Sequence, residues 1–369
     1  MTPPSVAART TGPVRIVGAG LLGASIGLAL RALGVDVILA DVSPSALSLA
    51  IDYGAGRRAA SDDSPRLIVV CVPPDSIAQT VAAELSAYPN ALVTDVASVK
   101  LAPLGELRAI GADISRYVGS HPMAGRERGG AISARADLFV GRPWVIANHD
   151  GIADRRAADS ALESLALDLG AAPVEMDAAA HDRSVALVSH VPQVISSLLA
   201  ARLIDSSDGA VGLAGQGLRD TTRIAGSQPE LWVQILGANA HAVVDILKQY
   251  RTDLDGVIDA LSAPDAPGSL RAVAETLASG NAGVARIPGK HGQAKHFSQL
   301  VVLVDDVPGE LARLLTEIGS LGVNLEDLRL EHSPGAQFGL AEISVEPEAE
   351  ARLIADLEHL GWKIAGAQD

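Results

Sequence analysis

Two side chains in this sequence have the type and setting for proton transfer. His121, within Ser120-His121-Pro122-Met123-Ala124-Gly125, carries an imidazole that titrates near neutral pH and can take a proton from a hydroxyl. Ser98, within Asp95-Val96-Ala97-Ser98-Val99-Lys100, can orient such a hydroxyl, or more plainly cap a helix. Lys100 beside it reads as a solvated surface charge. Further along, Asp182, His190 and Gln193 stand in apolar surroundings on one helix, with His190 and Gln193 three apart on a shared face. Residues 218–227 then bring Arg219, Asp220, Thr221, Thr222 and Arg223, followed by Trp232. An arginine there suits bidentate capture of a carboxylate; the plainer reading is an exposed segment closed by its own ion pairs. Metal spacing is absent: His181 and His190 are nine apart, and His291 and His296 fall in a linker.

Removing a hydroxyl proton becomes an oxidation only where a hydride acceptor stands alongside. Gly18, Gly20 and Gly23 form G-x-G-x-x-G after a strand pattern and before a helical one. The first glycine permits the tight turn, the second lets the backbone approach a pyrophosphate, and the third packs helix on strand. The phosphates then rest on the helix N-terminus. Asp41 follows Gly23 by 18 residues, at the end of the next strand pattern, where it can bind a ribose 2′-hydroxyl and repel a 2′-phosphate. NAD is therefore expected over NADP. Pro73-Pro74-Asp75, the Asp95 segment and the His121 segment all fall where strands should end, the side on which open α/β sheets bind ligands. Gly18, Gly20, Leu22, Gly23, Asp41, Pro73 and Asp95 are the expected cofactor contacts.

The elements that must position these groups divide the chain. With 369 residues it exceeds one ordinary core, and 48% apolar against 20% charged residues excludes a disordered or fibrous chain. Strand patterns at 14–17, 35–40, 67–72, 91–94, 117–119 and 144–147 alternate with helical ones, implying βαβ units and a parallel sheet over the first 150 residues. Residues 178–204 read as one long helix, kinked or restarted near Pro192, and 229–262 as another opened by Pro229. From residue 297 the order is βαββαβ: strand 299–304, helix 308–321, strands 324–331 and 339–345, helix 348–360, strand 362–364. The expected class is α/β, with a Rossmann-type parallel sheet, an all-helical middle domain and a C-terminal ferredoxin-like βαββαβ domain. The limits are a loose tail 1–13, a cofactor domain 14–176, a helical domain 177–285, a linker 286–296 and a final domain 297–369.

Acidic residues outnumber basic ones 44 to 29, for a net charge of −15, which argues against nucleic acid or an anionic membrane as partner. The lone cysteine, Cys71, excludes an internal disulfide and reads as a small buried hydrophobe. Residues 1–13 lack the apolar core of an export signal, and the apolar stretch 18–33 is too short to span a bilayer. A soluble cytoplasmic protein is expected.

The segments VGAGLLGASIG (17–27), VTDVASVK (93–100), GSHPMAGRERGG (119–130), DLFVGRPWVI (137–146), HDRSVALVSHVP (181–192) and LRDTTRIAGSQPELW (218–232) together resemble the prephenate dehydrogenases of tyrosine biosynthesis. VPGELARLL (307–315) and GVNLEDL (322–328) resemble an ACT domain, a module that commonly binds an amino acid. The resemblance implies that His121 accepts the proton of the ring C4 hydroxyl, that Ser98 lies near that hydroxyl, and that Arg223 holds a substrate carboxylate. It places Glu127, His190, Gln193 and Trp232 at the substrate. It also implies a homodimer and a regulatory module; the turn Asp305-Asp306-Val307-Pro308-Gly309 before a helix N-terminus and Asn324 at the start of the next strand could hold an aromatic effector such as tyrosine, the plainer reading being a dimerisation module with an empty site. Two positions depart from the family: Gln193 where histidine often follows the proline, and Arg126 where threonine is common.

Three other readings compete. A β-hydroxyacid or imine dehydrogenase would need a catalytic lysine or other acid on the long helix, and the absence of any lysine from 178–204 counts against it. An amino-acid sensor with a vestigial dehydrogenase would not need Asp41, Ser98, His121 and Arg223 all intact. Arogenate differs from prephenate by an amino in place of a keto group; an acid facing that group would favour arogenate, and neutral Gln193 favours prephenate.

Overall fold

The computed structural model describes residues 7–125, 129–287, 297–332 and 338–365. They form two compact units, Met1–Asp205 with Thr222–Tyr250, and Ser206–Thr221 with Arg251–Asp369.

The first unit is built on five parallel strands: β1 (Val14–Val17), β2 (Val37–Ala40), β3 (Arg57–Arg58), β4 (Leu67–Val70) and β5 (Leu92–Asp95), in the order β3-β2-β1-β4-β5. Helices α1 (Leu21–Ala32), α2 (Pro44–Asp52), α3 (Ile77–Ala87) and α4 (Leu101–Ala109) alternate with them. All four residues of β4 are buried, because the sheet is covered on both faces. Leu67 and Val69 join Val14, Ile16 and the α1 residues Ile26 and Leu30 in one apolar cluster, while Ile68 and Val70 join Ile77, Val81 and Leu107 in the other. This is the Rossmann-type arrangement.

The parallel pattern ends earlier than the sequence implies. β6 (Gly119–Pro122), β7 (Pro143–Asn148) and β8 (Ala172–Asp177) form a separate three-stranded sheet, with β6 antiparallel to β7 and β7 parallel to β8. A single parallel bridge, Val93 to Tyr117, joins it to β5. α5 (Arg155–Asp168) covers this sheet with Leu162 and Leu165. The expected loose tail is tied down at its end: the Arg9 and Thr10 amides donate to the Asp168 carboxylate.

The run 178–204 is α6 (Ala178–Val185), one π turn (Ala186–His190) and α7 (Val191–Ala201). The widened turn precedes Pro192, which has no amide proton and whose ring crowds the carbonyl four residues back. By length and composition Ala178–Ala201 is long and apolar enough to cross a membrane, unlike the 18–33 stretch singled out above. It buries the polar side chains of His181, Asp182 and His190. The single helix expected at 229–262 is two, α10 (Pro229–Ala238) and α11 (Ala240–Ser262), after the short helices α8 (Asp208–Val211) and α9 (Gln216–Thr222). They part at Asn239, whose side chain is spent on active-site bonds described below.

In the second unit, α12 (Ser269–Val284) is followed by β9 (Ser298–Asp305), α13 (Glu310–Ser320), β10 (Asp327–His332), β11 (Phe338–Val345), α14 (Pro347–His359) and β12 (Lys363–Ala365). The four strands are antiparallel in the order β10-β11-β9-β12. Val302, Ile343, Leu314 and Leu353 sit at the centre of its core. β10 starts three residues after Asn324, which therefore lies in a loop with its amide donating to Glu326 rather than at a strand end.

Candidate active site

The glycine turn has the shape of a phosphate cradle. Gly18 has φ +104°, and a Cβ there would lie 2.4 Å from the Cys71 carbonyl oxygen. A Cβ on Gly23 would lie 1.9 Å from the Gly18 carbonyl oxygen, so α1 packs directly on the turn. Gly20 faces open space within 4 Å and begins α1 without a side-chain cap or an acid in the first turn. The first amides of a helix have no partner within it, and at that end they suit a pyrophosphate. Asp41 follows β2 and accepts the Ala19 and Ser43 amides, both at 2.7 Å, which anchors its carboxylate beside the turn. Leu22 lies in the first turn of α1, and Pro73 follows β4. These features fit NAD. Cys71 is half-buried at the end of β4, and burial pushes its thiol up.

Asp95, expected at the cofactor, is instead fully buried and saturated from within. Its carboxylate accepts the Ala97 amide at 2.8 Å, the Tyr117 hydroxyl at 2.6 Å and the Lys100 ammonium. Lys100 is likewise buried, not solvated, and donates to the Ser120 carbonyl at 2.7 Å. Desolvation holds the Lys100 ammonium below its ordinary pKa, against the upward pull of Asp95 and Asp182. Gly119 makes the room: a Cβ there would lie 2.8 Å from Lys100 Cδ.

β6 carries His121, which is buried beside α6. His121 Nδ1 lies 2.9 Å from His181 Nε2, and His181 Nδ1 lies 2.7 Å from Asp182 Oδ1. A carboxylate only accepts, so His181 donates from Nδ1; with its Nε2 as acceptor, His121 donates from Nδ1. His121 Nε2 is left with a bare lone pair. Burial, then His181, Lys100 and His190, hold the His121 pKa well below the ordinary imidazole value. Asp182 is itself fixed by the Lys100 amide at 2.8 Å and the Leu101 amide at 2.9 Å. Asp182 thus caps α4, the role that Ser98 might have filled. Ser98 lies half-buried in the turn before α4, with no hydrogen bond among the described residues.

His190 is buried, and desolvation lowers its pKa to about 4. Its Nδ1 accepts from Asn239 at 3.1 Å, and Asn239 also donates to the Asp182 carbonyl at 2.8 Å. The Trp232 ring meets the His190 ring edge-on at 6.1 Å. Gln193 is buried on the next turn, 3.5 Å from the Ser197 hydroxyl. Arg223 is exposed on a short 3-10 turn, Arg223–Gly226, with no ion pair among the described residues. Glu127 lies outside the described residues.

The sequence reading thus named His121, His190, Gln193 and Trp232, and the structure buries the first three and sets Trp232 against His190. It gave no part in the site to His181, Lys100, Tyr117 or Asn239. The adjacent His181-Asp182 pair was the available signal for the relay, had its spacing from His121 not depended on the fold.

Sheet, glycine turn and buried imidazole define a nicotinamide-dependent dehydrogenase. Residues 26–172 match the family model of the prephenate dehydrogenase nucleotide-binding domain, and residues 177–276 that of the prephenate dehydrogenase dimerization domain. A probable prephenate dehydrogenase of Streptomyces niveus is 38% identical over 94% of this chain and 98% of its own. The crystal structure of Aquifex aeolicus prephenate dehydrogenase with hydroxyphenyl propionate and NAD+ is 26% identical and aligns with TM-score 0.63 over 73% of this chain and 97% of that one. Synechocystis arogenate dehydrogenase is 30% identical, with TM-score 0.61 over 73% of this chain and 99% of that one. The chain belongs to the prephenate dehydrogenase family.

Proposed function

We propose that the protein catalyses the NAD-dependent oxidative decarboxylation of prephenate to 4-hydroxyphenylpyruvate, with His121 as the proton acceptor. The observation that carries this reading is the His121–His181–Asp182 relay, a geometry in which His121 donates from Nδ1 and so accepts at Nε2. NAD, when bound against Gly18, Gly20, Leu22, Gly23, Asp41 and Pro73, supplies the acceptor for the hydride from substrate C4. His121 Nε2 takes the C4 hydroxyl proton, and the charge gained by the imidazole is balanced through His181 by Asp182. The C1–carboxylate bond breaks, CO2 leaves, and its electron pair completes the aromatic ring as a phenolate, which takes the proton back from His121 to give the phenol. Aromatisation drives the step, so the protein supplies position and one base. Ser98 orients the hydroxyl, Arg223 holds a carboxylate, and Glu127, His190, Gln193 and Trp232 bound the substrate. Because ring-carboxylate charge is lost in the transition state, a tighter grip by Arg223 on the ground state would not speed the reaction. Its part is binding and orientation.

Gln193 is neutral, which favours the keto side chain of prephenate over the ammonium of arogenate. The test is NADH formation, followed optically, with each substrate. Prephenate should be oxidised at least about tenfold more efficiently. Absence of NADH with prephenate would refute the activity, and faster oxidation of arogenate would reassign the substrate.

We further read the chain as a cytoplasmic homodimer paired through the helices of its first unit, where Leu198 and Val233 are exposed. The four-stranded C-terminal sheet, with strand order β10-β11-β9-β12, supports a ferredoxin-like ACT module. Gly309, with φ +99°, opens α13 without a side-chain cap, which suits an amino-acid carboxylate. Asp305 and Asp306 are exposed before it, and Asn324 lies before β10. Tyrosine added to the full chain should lower turnover, and Asn324→Ala should blunt that response; an equal response would move the effector to the catalytic site.

A further inference from the structure

The mechanism above uses His121, His181 and Asp182 but leaves unexplained a lysine buried beside them. Lys100 touches the relay at both ends. Its ammonium donates to the Ser120 carbonyl, the peptide group that leads into His121. Its backbone amide donates to Asp182 Oδ1, the oxygen that also receives His181 Nδ1–H. One residue therefore ties β6, which carries the first relay member, to α6, which carries the other two.

We propose that Lys100 is a positioning residue for proton transfer: held by Asp95, it fixes the backbone leading into His121 and places a positive charge beside the ring, keeping the base neutral and aimed. The inference rests on the reading of His121 as the proton acceptor.

The burial is costly, which is why a purely structural role explains it poorly. An ion pair in a dry interior generally adds little net stability over a well-packed apolar pair. Here both partners are fully occupied: Asp95 also holds Tyr117 and the Ala97 amide, and Lys100 also holds Ser120. Ser120 is fixed a second time, its hydroxyl donating to the Asp95 carbonyl at 2.9 Å and receiving the Thr94 hydroxyl at 3.0 Å. The peptide before His121 is thus clamped through carbonyl and side chain.

The charges around the imidazole act together. Among the described residues, His181 and Asp182 face it from α6, His190 from the π turn, Lys100 from before α4, and Asp95 and Tyr117 stand behind Lys100 from β5 and the strand leading to β6. Burial, His181, Lys100 and His190 all disfavour the imidazolium. Removing the ammonium removes one of these pressures, so the His121 pKa must rise. A base that works only when neutral then needs a higher pH, and the acid limb of kcat/KM moves up.

The test compares pH profiles of the full-length wild type, Lys100→Met, and the double variant Lys100→Met/Asp95→Asn, which leaves no unpaired carboxylate buried. Circular dichroism and thermal melting establish folding. Both folded variants should show the acid limb shifted up by about one pH unit, kcat/KM at a pH on the wild-type acid limb reduced by about tenfold, and KM for prephenate within about threefold of wild type. Lys100→Arg, which keeps the charge, should keep the limb near its wild-type position. A folded variant with an unshifted limb overturns the proposal, and so does a double variant that fails to fold, because Lys100 would then be a scaffold group only. His121→Asn measured in parallel separates the two readings: if it keeps wild-type turnover, the assignment of His121 fails, whereas if it loses turnover and the Lys100 variants keep their limb, only the role of Lys100 fails.

Discussion

The glycine turn and the His121 site lie in the same unit but are built in opposite ways. The turn acts through main chain: three glycines and the open end of α1, all within residues 18–23, with Asp41 anchored alongside. The proton site acts through side chains gathered from Asp95–Lys100, Tyr117–His121, His181–Asp182, His190 and Asn239, and each is buried and bonded to another. A binding surface can be made of local backbone geometry. A tuned base needs burial, and every buried polar group must then find a partner.

That contrast fails or sharpens under four measurements. His121→Asn should lower kcat by about 10²–10⁴ while leaving the NAD dissociation constant near its wild-type value. Loss of NAD binding together with turnover would mean that the two sites are not separable. Arg223→Ala should raise KM for prephenate roughly ten- to hundredfold, the worth of a charge-assisted hydrogen bond, with kcat little changed. An unchanged KM removes Arg223 from the substrate. Asp41→Asn should narrow the preference for NAD over NADP by about tenfold, since one repulsive charge is lost at the ribose. A native preference for NADP would contradict the part given to Asp41.

The smallest effect is on stability. His190 falls to about 4 in the folded chain against about 6.5 in an unfolded one, and His121 moves in the same direction. The unfolded chain therefore takes up protons first as the medium is acidified. The contribution of these groups is intact above pH 6.5 and is lost progressively as pH falls toward about 4. Urea midpoints at pH 7.5 and pH 5 should differ accordingly, and His190→Gln should reduce the difference. Equal midpoints would show that the buried imidazoles are not held neutral by the fold.

What was legible in the sequence follows from the same contrast. The G-x-G-x-x-G turn, Asp41 and the strand–helix alternation are local, so residue order alone exposes them. So is the βαββαβ order of residues 298–365. The relay was not legible, because His121 and His181 are 60 residues apart and meet only when β6 and α6 pack. Lys100 looked like a surface charge because nothing nearby in the sequence announces that Asp95 turns inward to receive it. The break at Asn239 has a local mark in Gly237 and Asn239, both weak helix formers, but the gain that fixes it comes from two bonds to distant partners, Asp182 and His190. Pro192, by contrast, announced its own irregularity, since a missing amide proton is a property of the residue itself.

Gly119 reaches furthest in its implications. It has no φ that demands glycine, yet a methyl group there would strike the aliphatic stem of Lys100 and crowd the Asp95 carboxylate at 3.3 Å and the Tyr117 hydroxyl at 3.4 Å. In a saturation library scored by activity, position 119 should tolerate no replacement. Attempts to enlarge or reshape the substrate pocket by varying β6 would meet a wall there, two residues from the base. Diversification of this enzyme is better aimed at α7 and the Arg223 turn, whose side chains are not wedged against a buried charge.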